Sequence, residues 1–416
     1  MNGNLFARLA DGFPADRRAT LLETVEGGRW SLAETLELTG RLATLMRAAG
    51  VAPGDRVAAQ VGASPQAVCL YLACLQAGAV FVPLDPAAAP AALAGIVADA
   101  EPRLLVCEPA AEAELAPVAA AAGAAVYTLA ADGTGRLTAE AVGLPSERSV
   151  ALRAGADVAA IVYGEAAGAR PRGAMLSHDN LWSNAAALHW LWGFRSGDVL
   201  IHALPLHQAD GLFVALNPIL MNGGRAILLP RHDAEAVIGL LPRASVLMGG
   251  PALYAGLLGS RRLTRAAAAG MRLFVAGAGP MPPLVLAAFE ARVGARVLER
   301  YGTVETGVVA ADGLDGARCP GSVGRALPGV GLRVVDAEGR ALGPDAAGAL
   351  EAQGPGVFRG YWRDPEGTAG PGADGWFATG DRAAIDAEGY VTLLGRDGGA
   401  AGLAFDAMAG VSRAAS

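Results

Sequence analysis

Short apolar runs recur along this chain at residues 56–61, 104–107, 158–163, 199–202, 226–229, 245–248 and 273–275, and most lead into a stretch of helical character. Runs rich in Val, Ile, Leu and Ala without polar alternation suit strands buried on both faces. Parallel neighbours among such strands need crossovers long enough to hold a helix. The alternation therefore predicts a layered α/β fold with largely parallel sheets. Ser31-Leu32-Ala33-Glu34 is a capping box ahead of Leu38, Leu42, Leu45 and Ala49, and Gly50 follows as a stop, so a helix is predicted there. Ser64-Pro65 opens the next helix with a cap followed by proline. The most apolar run, AVCLYLACLQAGAVFVPL at 67–84, is broken by Gln76, Gly78 and Pro83, and reads as a buried helix then a strand, not a membrane span.

From about Gly321 the texture changes to short strand patterns at Val323, 332–335, 349–352 and 390–394 between Gly- and Pro-rich turns. The expected organisation is a layered α/β region over 1–320, a smaller β-rich subdomain over 321–396, and a short flexible tail over 397–416. A net charge of −7 with no basic block excludes a polyanion footprint, so no nucleic-acid partner is expected. Every Lys or Arg position is Arg; the sequence holds no Lys. Cys69, Cys74, Cys107 and Cys319 form no CxxC pair, as in a reducing compartment. The N-terminal stretch MNGNLFARLADGFPADRR has no apolar targeting core, so a cytoplasmic protein is expected.

The segment IVYGEAAGARPRGAMLSHDNL lies between a strand pattern and a helix start, where phosphate-binding loops belong. It continues into DVLIHALP at 198–205, GLFVALN at 211–217, LERYG at 298–302 and GPGVFRGYW at 354–362. Taken together, these motifs resemble the adenylate-forming enzymes (acyl-CoA synthetases, luciferases and peptide-synthetase adenylation domains), and among them malonyl-CoA synthetase. The resemblance runs from Met1 to about Arg396. It implies the large N-terminal domain of that superfamily, with ATP and Mg2+ as cofactors, CoA as co-substrate and a small carboxylate such as malonate as the acid.

Carried over position by position, the resemblance makes Arg172, Gly173, Gly277, Ala278, Gly279, Tyr301, Gly302, Asp381 and Arg396 the nucleotide-binding candidates. Tyr301 would stack on adenine, and Asp381 and Arg396 would meet the ribose. Glu305 of YGTVE would hold Mg2+, a role suited to a hard carboxylate oxygen that shares the ion with phosphates. A distal malonate carboxylate calls for a bidentate cation, for which Arg300 and Arg170 are the candidates.

Several positions depart from the pattern. The family loop is roughly YTSGTTGxPKG, but Gly164-Glu165-Ala166-Ala167-Gly168-Ala169 has lost the hydroxyls, Glu165 brings a negative charge, and Arg172 replaces the loop Lys. Val304 replaces a Thr. In LPLHQADGL, Gln208 and Asp210 stand at the two His positions of LPxYHTHGL. His207 falls where Tyr would be and is read as structural, and His178 is read as a cap-region residue. Gly398 and Gly399 occupy the hinge Lys-Asp positions, and the mobile C-terminal domain of the family is expected to be absent.

The leading reading is therefore a degenerate relative of malonyl-CoA synthetase, unable alone to convert malonate, ATP and CoA to malonyl-CoA, AMP and pyrophosphate. A second reading is an active ATP-dependent ligase that uses a C-terminal domain supplied in trans by a protein partner. A third is a structural interaction protein that binds no nucleotide.

Overall fold

In a computed structural model of the protein, residues 2–164, 171–230, 233–277, 279–364, 371–372 and 374–396 are described. The apolar runs become the centres of two sheets. A six-stranded sheet runs Ala125–Thr128, Leu104–Cys107, Arg56–Gln60, Val80–Leu84, Val158–Tyr163 and Gly173–Ser177, parallel throughout except for the last pair. A nine-stranded sheet has a parallel centre of Val297–Thr303, Leu273–Ala276, Val246–Gly249, Val199–His202, Arg225–Leu228 and Thr20–Thr24. Antiparallel strands close its two ends, Gly307–Ala311 with Arg325–Ala326 at one and Arg29–Ser31 at the other. Beyond these, Gly331–Val335, Gly348–Gln353, Phe377–Ile385 and Val391–Arg396 form a four-stranded antiparallel sheet.

Local chemistry explains the elements the sequence announced. Ser31 and Glu34 close the capping box of the helix Leu32–Ala48, and Gly50 takes a positive φ just past its end. The run at 67–84 splits into the helix Pro65–Ala77 and the strand Val80–Leu84, with left-handed Gly78 between them. Tyr71 on that helix is fully buried, meets the Phe81 ring edge-on at 5.4 Å and donates its hydroxyl to Asn217 at 3.1 Å. No helix among the described residues is long and apolar enough to cross a membrane. All four cysteines are free thiols.

The structure differs from expectation in three places. The stretch after the phosphate-loop motif is not a direct entry to a helix: Gly173–Ser177 first pairs antiparallel with Val158–Tyr163. Val323 lies outside any strand; its N–H bonds the Val391 carbonyl, and the strand is Arg325–Ala326. His178 stands at the expected helix start, but its hydrogen bond is not one that caps that helix. Ser177 and Asn180 form the capping box of the helix His178–Trp192, while buried His178 accepts the Leu5 N–H at Nδ1, 3.1 Å away, and so ties down the first helix, Leu5–Ala10.

Asn180 also joins distant parts of the chain. Its Nδ2 donates to the carbonyls of Pro355 and Val357, each at 2.8 Å, and thereby seats the GPGVF segment against the helix start. Replacement by Ala removes these bonds and half of the capping box, leaving buried carbonyls unpaired. Asn180→Ala should therefore lower unfolding free energy by about 2 kcal/mol, measured by urea denaturation.

Burial first, and the Arg153 charge second, push the His178 imidazole down to about 4 from an ordinary 6.5. Between these values the unfolded chain binds a proton that the folded chain refuses, so stability falls as pH drops from about 6.5 to 4. Denaturation series across this range should show a loss of about 2 to 3 kcal/mol in the wild type that is missing from His178→Asn, whose side-chain carbonyl can still accept from Leu5.

Candidate nucleotide and acid site

The parallel strands of the nine-stranded sheet end toward one edge, where open α/β sheets characteristically receive ligands. Val297–Thr303 brings Arg300, Tyr301 and Gly302 there, with a register shift between Tyr301 and Gly302 where it pairs with Gly307–Ala311. Tyr301 is buried in an apolar cluster with Val309, Ala310, Val334 and Leu350, so its ring couples this strand to the four-stranded sheet. Its hydroxyl donates to Asp381 Oδ2 at 2.6 Å. Asp381 pairs in register with Arg396 on the next strand, and Arg396 Nε lies 3.6 Å from Asp381 Oδ1. Burial, then the bond to Asp381, raise the Tyr301 phenol above its ordinary value, so it stays protonated and donates. Three residues expected at the nucleoside thus meet, and Asp381 keeps its carboxylate partly open, with 18% of the side chain exposed.

Glu305 sits in the tight turn between Val297–Thr303 and Gly307–Ala311. Thr306 shapes the turn by accepting the Thr303 N–H at 3.0 Å and donating to the Gly307 carbonyl at 2.8 Å. The Glu305 carbonyl accepts the Phe358 N–H at 2.7 Å, and its carboxylate Oε1 accepts the Tyr361 hydroxyl at 2.8 Å. Arg172 lies over the Tyr361 ring, 3.8 Å from its centroid, and 3.6 Å from Asp364. Burial, then the Glu305 charge, push the Tyr361 phenol up, which keeps it a donor.

These contacts exist because residues 359–362 lie alongside Gly173–Ser177. Met175 N–H bonds Gly360 O, Arg359 N–H bonds Met175 O, and Trp362 N–H bonds Gly173 O. Gly173 is required by closeness, since a Cβ there would stand 2.6 Å from the Ile161 side chain and 2.8 Å from the Tyr163 ring.

Arg300 forms the third group. It is 5% exposed and pairs with Asp210 at 2.9 Å, the Asp210 side chain being 23% exposed. The guanidinium lies over Gly277, just past the strand Leu273–Ala276; a Cβ at residue 277 would come within 2.4 Å of Arg300 Cζ. Gly279 beside it has a φ of +143°. Asp210 opens a π-helical segment, Asp210–Leu216, whose start is fixed by buried His202 donating from Nε2 to the Gly211 carbonyl at 2.8 Å.

The structure thus brings Tyr301, Asp381 and Arg396 together, and separately Glu305 and Arg172, with Gly302 and Gly173 as the backbone positions that let the strands close. Arg170 and Ala278 lie outside the described residues, as do the rest of the altered loop at 165–170 and the tail at 397–416. His207 lines a small cavity with Tyr71, Phe81, Pro83 and Leu212, its Nε2 3.8 Å from Asp85. Sequence reasoning missed Tyr361, although the GYW motif that holds it was in view, and it missed the pairing of Asp210 with Arg300.

Among the described residues, no cluster of three or more His, Cys, Asp or Glu could hold a metal by itself. A single carboxylate is nonetheless the donor set expected of Mg2+ carried with a phosphate ligand. Glu305 is such a carboxylate, whereas the Tyr301 ring expected to stack on adenine is packed into an apolar cluster and only its hydroxyl meets Asp381.

Comparison with known proteins agrees with this geometry. The AMP-binding enzyme family model matches residues 6–362. Apo MatB from Rhodopseudomonas palustris superposes with a TM-score of 0.93 at 45% identity, over 96% of this chain and 79% of that one. A feruloyl-CoA synthase from an Amycolatopsis species is 33% identical over 89% of this chain and 74% of its own length. The mitochondrial malonate–CoA ligase of Xenopus laevis is 31% identical over 80% of this chain and 64% of its own. With the match spanning most of its length, the chain belongs to the AMP-binding enzyme family.

Proposed function

We propose that this protein is a malonyl-CoA-synthetase-like nucleotide binder whose capacity to adenylate an acid is strongly impaired. The observation that carries the reading is a contrast. Tyr301 and Arg396 each meet Asp381, whereas the sequence at the phosphate positions has Ala in place of the family's hydroxyl residues and an acidic Glu165. A nucleoside monophosphate needs the first group, and a triphosphate needs both. The similarity to MatB and to malonate–CoA ligases supports ancestry in acid–CoA ligation.

In this reading Asp381 accepts ribose hydroxyls, with Tyr301 and Arg396 fixing its orientation. Glu305, oriented by the Tyr361 hydroxyl, is the residue that would hold Mg2+; the ion would neutralise phosphate charge. Arg172, flat on Tyr361, offers a guanidinium toward the phosphates in place of the family's Lys, but a planar fork does not reproduce a compact ammonium. Adenylation depends on preorganised cations around a developing charge, and their loss costs orders of magnitude in rate. The four free thiols support a reducing, cytoplasmic setting.

Calorimetry tests the binding half. AMP should bind, Asp381→Asn should weaken it roughly tenfold through loss of a charged acceptor, and Mg-ATP should bind no tighter than AMP. Absence of AMP binding in a well-folded preparation would return the reading to a structural protein.

Malonate-dependent pyrophosphate release with hydroxylamine trapping tests the chemical half. Turnover should stay below about 0.01 per second, against roughly 10 per second for an ordinary enzyme, and restoring Thr and Ser at the loop positions should raise it. Turnover at the ordinary rate by the unaltered chain would refute the impairment.

A further inference from the structure

The cation best suited to hold the far carboxylate of a small dicarboxylic acid is already matched by a carboxylate of the protein itself. Arg300 is nearly sealed from water, at 5% exposure, and a buried guanidinium without an anion is strongly unfavourable. Asp210 provides that anion at 2.9 Å. Neither partner is loosely placed. Arg300 is held by its strand, opposite Ala311, and by packing across Gly277. Asp210 starts the π-helical segment that buried His202 anchors through Gly211.

Of the two, Asp210 is the more exposed, so a ligand that reaches the guanidinium does so beside the Asp210 carboxylate. A dicarboxylate arriving at this point meets a like charge first, and it must displace a preorganised internal anion to reach Arg300. An acid with an uncharged far end meets a neutralised pair and suffers no such repulsion.

Resting on the malonyl-CoA-synthetase-like reading, we propose that Asp210 is a specificity-determining residue that fills the anion position at Arg300. The site thereby rejects dicarboxylic acids such as malonate in favour of small monocarboxylic acids of similar length. The full chain is titrated calorimetrically with malonate and with propionate, each with and without saturating AMP, and AMP is titrated alone. The wild type should bind propionate at least as tightly as malonate. Asp210→Asn, which keeps the size and a hydrogen-bonding carbonyl, should tighten malonate roughly tenfold or more and leave propionate and AMP within about twofold. Adding Arg300→Gln to Asp210→Asn should erase the malonate gain.

Should Asp210→Asn lose its cooperative melting transition, Asp210→Ser is measured in its place with the same expected gain. A malonate affinity unchanged by either folded variant, or a wild type that binds malonate more tightly than propionate, overturns the proposal. The AMP titration separates the two readings: loss of AMP binding in every protein counts against the proposed nucleotide function, while the malonate series still decides the role of Asp210.

Discussion

Backbone pairing between residues 359–362 and the strand Gly173–Ser177 is the contact on which the candidate site depends. It lays a piece of chain that follows the second core strand of the four-stranded sheet along the edge of the six-stranded sheet. Tyr361 is thereby set under Arg172 and against Glu305. Asn180 reinforces the same junction through two carbonyls. The side-chain constellation is a consequence of strand geometry, and Gly173 is small because that geometry leaves no room for a Cβ.

Two electrostatic arrangements then diverge. At the proposed nucleoside end a protonated phenol and an arginine stand beside a partly open carboxylate. At the proposed acid end buried Arg300 is satisfied from within by Asp210. A protein whose charges are already paired has little to gain from a charged ligand, since binding exchanges one ion pair for another at the cost of desolvation. On the proposed reading, one half of the ligand site stays receptive while Asp210 occupies the other.

Much of the fold was legible because central parallel strands are buried on both faces and so appear as unbroken apolar runs; Leu104–Cys107, Val158–Tyr163 and Val199–His202 match their expected limits. The antiparallel strands expected at 332–335, 349–352 and 390–394 were legible too, as Gly331–Val335, Gly348–Gln353 and Val391–Arg396, but three others were not. Thr20–Thr24, Gly173–Ser177 and Phe377–Ile385 carry Gly, Ser, Thr or charge, which interrupts the apolar run by which a buried strand is read. At the site, Tyr301, Glu305, Asp381 and Arg396 were readable from motif resemblance. The pairing of Asp210 with Arg300 was not, for no local spacing connects two residues brought together by separate strands and a helical turn. The partner of His178 was missed for a related reason: the Leu5 N–H lies 173 residues away in the chain.

The register of the nine-stranded sheet bears on how the polypeptide is made. Thr20–Thr24 emerges early in synthesis, yet its hydrogen-bonded neighbour is Arg225–Leu228, and buried Glu23 waits for Arg225 and Arg243. The six-stranded sheet needs nothing after Ser177 to complete its own ladder. On a translating ribosome the smaller sheet can close first, while the amino-terminal hairpin stays an unmatched edge for some two hundred further residues, the interval in which nascent chains are most prone to associate wrongly.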